Sequence, residues 1–146
     1  MKALRYALIA LTLLVAGCTN MYSHAFRVEP VEPLSQEELH NVFANFKLYL
    51  SNKGMKEVTQ PGNKNPDYVS FELGSGKSGL LREPFEEYLE LSYTPEKGFT
   101  MTITRVISHP VDFSDQYISD FKLKTEEFIH EATSKNVRLK VINEHP

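Results

Sequence analysis

Three stretches of this chain alternate apolar and polar residues with a period of two, and that constrains its fold more than any other feature. Val69, Phe71 and Leu73 oppose Tyr68, Ser70 and Glu72; Leu89, Leu91 and Tyr93 oppose Tyr88, Glu90 and Ser92; Phe99, Met101 and Ile103 oppose Thr100, Thr102 and Thr104. Successive side chains of a strand point to opposite faces, so each stretch reads as a strand with one apolar and one polar side. Such a sheet needs a second layer over its apolar face only. Thr94-Pro95-Glu96-Lys97-Gly98 carries the turn residues of a hairpin between the second and third stretches.

Two helices supply the covering layer. Ser35 followed three positions later by Glu38 forms a capping-box pattern, flanked by Leu34 and Leu39 as a hydrophobic staple. Leu39, Val42, Phe43, Phe46, Tyr49 and Leu50 then recur every three or four residues, and Gly54 offers a left-handed stop, which predicts a helix over 36–53. A second helix begins at Asp112 or Ser114, gathers Tyr117, Ile118, Phe121, Phe128, Ile129 and Ala132 on one side, leaves Leu123 outside that stripe and ends near Asn136. A short strand near 55–59, a Pro- and Gly-containing loop over 60–66 and a last strand over 137–142 complete the order α-β-β-β-β-α-β. The expected fold class is α+β, a two-layer sandwich whose mainly antiparallel sheet is covered on one face by two helices. Residues 35–146 suffice for one such domain.

The amino terminus has a different composition. Lys2 and Arg5 precede an apolar run over 6–16 broken only by Thr12, the layout of a secretory signal. The run is about half of the roughly 20 residues a transmembrane helix requires. It ends in Val15-Ala16-Gly17-Cys18, which resembles the lipobox of bacterial lipoproteins: an aliphatic residue, two small ones and a cysteine. The resemblance covers about the first 20 residues. It implies cleavage between Gly17 and Cys18, a diacylglycerol on the Cys18 thiol and a further acyl chain, palmitate in kind, on the new amino terminus. Two or more chains anchor a protein stably where one does not. In this lipoprotein class an Asp after the cysteine marks inner-membrane retention; Thr19 stands there, so the resemblance implies an outer-membrane anchor facing the periplasm. The organisation expected is a signal peptide over 1–17, a lipidated terminus and tether over 18–34 containing Pro30 and Pro33, and the domain beyond. Fully extended, such a tether reaches about 50 Å.

Charge and motifs narrow the function. Removing 1–17 takes Lys2 and Arg5 and no acid, leaving 14 basic against 19 acidic residues, a net charge of −5. No run of basic residues is present, which argues against nucleic acid as a partner. The single cysteine cannot form an internal disulfide, and lipidation accounts for it in an oxidising compartment. Gly74-Ser75-Gly76-Lys77-Ser78-Gly79 contains Gly-Lys-Ser, but Phe71 stands where a P-loop needs its first glycine and no helix follows, so the segment reads as a solvated strand connection. His24, His40, His109, His130 and His145 show no metal-ligand spacing, and no nucleophile elbow is present. The expectation is therefore no catalytic residue, no metal and no cofactor.

Two readings of the polar face remain. Glu72 and Glu90, in suitable register, would form the carboxylate pair of a glycoside hydrolase. The same face, with Tyr68, Tyr88, Ser70, Ser92 and three threonines, can instead recognise a partner through tyrosines that combine contact area with a polar tip. An exposed sheet edge is a further candidate surface. The leading expectation is a non-enzymatic lipoprotein, held in the outer membrane by acyl chains, that binds an envelope protein or serves as an accessory subunit through Tyr68, Glu72, Tyr88 and Glu90. The alternatives are an envelope hydrolase using Glu72 and Glu90, and a small-ligand carrier with a cavity between helices and sheet.

Overall fold

The computed structural model describes residues 20–60, 62–78, 83–107 and 112–143. Along the chain come β1 (Asn20–Pro30), α1 (Gln36–Asn52), β2 (Tyr68–Ser78), β3 (Glu83–Thr94), β4 (Gly98–Ile107), α2 (Asp115–Thr133) and β5 (Val137–Asn143). The strands form one sheet in the order β2-β3-β4-β1-β5, every neighbouring pair antiparallel. This is the expected α+β sandwich, with both helices on the apolar face. From α1 onward the order α-β-β-β-β-α-β is recovered when the bridge pairing Glu57 with Phe71 is counted as its first strand.

What precedes α1 corrects the sequence reading. Residues 20–30 are not tether but β1, paired to β4 on one side and β5 on the other. Its even-numbered residues carry the reason: Phe26 is fully buried, Val28 nearly so, and Tyr22 packs against the same core. Removing a Phe side chain from water is worth about 1.5–3 kcal/mol, enough to hold a strand whose sequence is otherwise polar. Pro30 is tolerated because it ends the strand, after which Val31 N–H donates to the Asn136 carbonyl at 2.9 Å. The lipobox residues Val15 to Cys18 lie outside the described residues, as do His109 and His145.

Local signals set the other elements. Ser35 Oγ accepts from Glu38 N–H at 3.2 Å while Glu38 Oε2 accepts from Ser35 N–H at 2.8 Å, closing the capping box that starts α1. The backbone hydrogen bond from Ser35 comes first, then that from its hydroxyl, in holding the Glu38 carboxyl below its usual range. Gly54, at φ 82°, follows the last turn of α1 in the left-handed conformation that glycine adopts without strain. Ser114 caps α2, and the left-handed Ser134 ends it. At the β3–β4 hairpin Gly98 has φ 70°, and a Cβ there would stand 3.2 Å from the Leu39 Cδ2.

The core lies between the helices and the sheet. Val42, Phe43, Phe46 and Leu50 of α1 and Ile129 of α2 meet Phe26, Val69, Phe71, Leu91, Phe99, Met101 and Ile103 from the strands. Phe43 meets Phe99 edge-on at 5.4 Å between centroids, and Phe26 meets Phe121 at 5.5 Å. Phe128, expected on the buried stripe of α2, is 40 % exposed.

Candidate binding site on the open sheet face

The register of β2 and β3 decides what the polar face presents. Tyr68 lies opposite Ser92, Ser70 opposite Glu90 and Glu72 opposite Tyr88. A bulge between Glu72 and Gly74 shifts the phase by one residue, so Ser75 returns to the same face opposite Glu86. The glycine-rich stretch is thus, over Gly74 to Ser78, a paired continuation of β2 rather than a solvated connection, and it leads to another strand, not to a phosphate-binding helix. Gly79 is outside the described residues.

The chain after α1 walls this area. Lys56 carbonyl accepts from Glu72 N–H at 2.9 Å, Val58 N–H donates to Ser70 carbonyl at 2.8 Å, and Thr59 Oγ1 accepts from Ser70 N–H at 3.1 Å. The outer edge of β2 is therefore partly occupied from within the chain. So is that of β5, where Leu139 N–H donates to Glu126 Oε1 at 2.7 Å. Strand addition loses these bonding positions at both edges.

Tyr68, Glu72, Tyr88 and Glu90, the four residues singled out from sequence, converge with Lys56 and Glu86 on a cleft of about 510 Å³. Tyr68 hydroxyl donates to Glu90 Oε1 at 2.8 Å, and Tyr88 hydroxyl donates to Glu86 Oε2 in a short bond. Lys56 Nζ lies 2.9 Å from Glu72 Oε2. Burial first, then the hydrogen bond and charge of Glu90, push the Tyr68 phenol up to about 12. For Tyr88 the hydrogen bond to Glu86 leads, with burial and the Glu86 and Glu72 charges adding to it, and the phenol again reaches about 12. Glu72 moves the other way: hydrogen bonds from Lys56 and Ser75, with the Lys56 charge, hold its carboxyl below the usual range. The cleft thus offers three carboxylates against one ammonium, with two neutral phenols ordered among them.

Across the rest of the open face the chemistry changes by strand. Thr100, Thr102 and Thr104 occupy β4, and Arg27, Arg138 and Lys140 occupy β1 and β5, where Lys140 Nζ lies 3.4 Å from Glu29. The face runs from acidic through hydroxyl-bearing to basic.

A second polar cluster, on the covered face, escaped the sequence reading. Glu87 and Arg105 are register partners on β3 and β4. Arg105 Nε donates to Glu87 Oε1 at 2.8 Å, Tyr117 hydroxyl donates to Glu87 Oε2 at 3.0 Å, and another Arg105 nitrogen donates to the Asp112 carbonyl at 3.1 Å. The guanidinium stacks 4.2 Å from the Phe113 ring centroid, and His24 reaches Asp112 Oδ1 at 3.1 Å. Both Glu87 and Arg105 fall at the apolar phase of their strands, the one trace in the sequence that they face inward. His40 pairs with Asp67 at 2.7 Å and packs 4.6 Å from Tyr93. Among the described residues no group of three or more His, Cys, Asp and Glu is placed to hold a metal ion, and no helix is long and apolar enough to cross a membrane.

No protein-family model and no curated protein matches this chain.

Proposed function

We propose that this protein is a lipid-anchored binding or accessory subunit of the bacterial envelope, facing the periplasm from the outer membrane, and that the cleft on the β2–β3 half of the sheet engages its partner. The convergence of Tyr68, Glu72, Tyr88 and Glu90 with Glu86 in one cleft is the observation that carries this reading. Three carboxylates suit a partner presenting lysine or arginine side chains there, while the threonines and the basic strands beyond suit hydroxyl and acidic groups. The hydrolase alternative draws on the diagonal placement of Glu72 and Glu90, roughly 7–8 Å apart at the backbone. Glu72, held toward the ionised form, could serve there only as base or nucleophile, and Glu90, the remaining candidate acid, already accepts from the Tyr68 hydroxyl at 2.8 Å. Binding is the better fit.

The anchor reading takes a new shape with β1 in place. If Cys18 carries the acyl chains, Thr19 alone separates it from the first residue of the central part of the sheet, two steps of backbone or about 7 Å. The domain then rests at the lipid surface instead of ranging about 50 Å from it.

Photocrosslinking from position 92 or 102 in intact cells tests the face. One reproducible envelope protein is expected, and Glu72→Lys with Glu90→Lys should reduce its yield at least tenfold. Capture of a random set, or equal capture from exposed Leu48 on α1, overturns the assignment of this face. Cys18→Ala tests the anchor: unchanged processing and membrane retention would overturn it.

A further inference from the structure

On the helix side of the sheet, a separate cavity of about 290 Å³ opens between α1, α2 and the β2–β3 half, with Phe46, Leu50, Leu73, Leu89, Phe121 and Phe128 in its wall. Its origin is legible on α2. Phe121, Thr125 and Ile129 follow one another at four-residue spacing along the inward face, and the middle position holds a small polar residue where its neighbours are large and apolar. Thr125 is 5 % exposed and lines the cavity, and its hydroxyl makes no side-chain hydrogen bond to the described residues. Since no sealed-off side-chain polar atom among the described residues lacks a partner, this hydroxyl is reached by the cavity's water, which a ligand oxygen can replace. Beside it Lys124 also lines the cavity and makes no ion pair among the described residues. Asp120, the one acid of the lining, accepts at Oδ1 from Gln116 Nε2 at 2.8 Å and keeps its negative charge opposite that of Lys124.

We propose that this cavity binds a free fatty acid, its tail among Phe46, Leu50, Leu73 and Phe121 and its carboxylate taken by Lys124, with the Thr125 hydroxyl contributing a hydrogen bond. The volume holds about ten methylene-sized groups, counting each at roughly the share of a liquid water. An apolar wall with a few converging polar groups is the usual build of a small-molecule site. The free ammonium selects an anion over a neutral or zwitterionic head, and the terminal position of a carboxylate matches a cavity lined by polar groups from adjacent residues of one helix. The site is independent of the open-face cleft, which lies on the other side of the sheet.

The test uses the membrane-bound protein in cells and a dodecanoate analogue with a photoreactive group near its methyl end, followed by mapping of the labelled peptides. Labelling within the cavity wall, displaced by excess decanoate but not by decanol, is expected. Lys124→Glu should lower it at least fivefold and Asp120→Asn should raise it, while thermal melting of both variants stays near that of the parent. Thr125→Val keeps the shape and should lower labelling by a smaller factor. Glu72→Lys with Glu90→Lys, which disables the open-face cleft, should leave labelling unchanged, so either proposal can fail alone. Labelling spread over the surface, indifference to Lys124→Glu, or equal labelling by a lysophosphatidylcholine analogue overturns the fatty-acid site.

Discussion

The two faces of this sheet carry nearly the same set of polar groups under opposite conditions. On the covered face one carboxylate, one guanidinium and one phenol are closed in by Phe113 and α2; Glu87 is 8 % exposed. On the open face the carboxylates, the ammonium and the phenols stand around a water-accessible cleft. Tyr117 and Tyr88 illustrate the difference, since both phenols reach about 12. Burial leads for Tyr117, assisted by the Glu87 charge and hydrogen bond and opposed by Arg105, whereas the hydrogen bond to Glu86 leads for Tyr88. Desolvated groups depend on each other and fix the structure around them; solvated groups remain free to exchange water for a partner.

The sharpest way to break this contrast is to remove one member of the buried pair. Arg105→Met leaves Glu87 unpaired in the interior and should cost about 3–5 kcal/mol in urea unfolding. Adding Glu87→Gln should restore most of it, because no isolated charge then remains buried. If the single and double variants lose the same amount, the pair is solvated and the contrast fails.

Next in size, Tyr117→Phe should cost about 1.5 kcal/mol through the lost bond to Glu87, against about 0.5 kcal/mol for Tyr68→Phe on the open face. The same urea transitions measure both.

A pH titration sharpens the comparison further. Tyr68, Tyr88 and Tyr117 each have a folded value of about 12 against an ordinary 10.0. The fold favours their protonated forms, so this contribution to stability is complete below about pH 10 and is lost as pH rises through about 12. Difference absorption on the domain without residues 1–17 should show these three, together with Tyr49, whose phenol its bond to Glu131 also raises, ionising late among six tyrosines, and Tyr117→Phe should remove one from the late group. Their ionising together with the remaining tyrosines in the folded protein would refute the placement.

The smallest effect belongs to Lys56→Ala. Its side chain is 73 % exposed and pairs with Glu72 in solvent, so stability should stay within experimental error while partner capture from the open face changes. A large loss of stability would show the cleft to be structural.

Much of this arrangement was legible beforehand, for local reasons. The capping box at Ser35 is complete within four residues, and the alternation in β2, β3 and β4 needs no knowledge of what lies opposite. β1 was obscured because Tyr22 and His24 share its inward phase with Phe26 and Val28, while Pro30 and Pro33 suggested a stiff linker. Its identity as a strand comes from β4 and β5, which lie far along the chain. The same holds for Glu87 and Arg105: each is a lone polar residue in apolar phase, and only the register of β3 with β4 makes them partners. On the open face the four candidate residues share one cleft with Lys56 and Glu86, which the alternation does not reveal. One depends on the path of the chain after α1, the other on the bulge at Gly74.

The position of β1 between β4 and β5 also imposes an order in time. β1 is synthesised before the rest of the sheet, yet its two neighbours are completed only when Ile107 and Asn143 have followed. Closing contacts across that much chain is slow compared with helix or hairpin formation. During this interval α1 and the β2–β4 hairpins can assemble while residues 20–30 stay extended and accessible. Capture of β1 by the last strand is therefore the step that seals the fold.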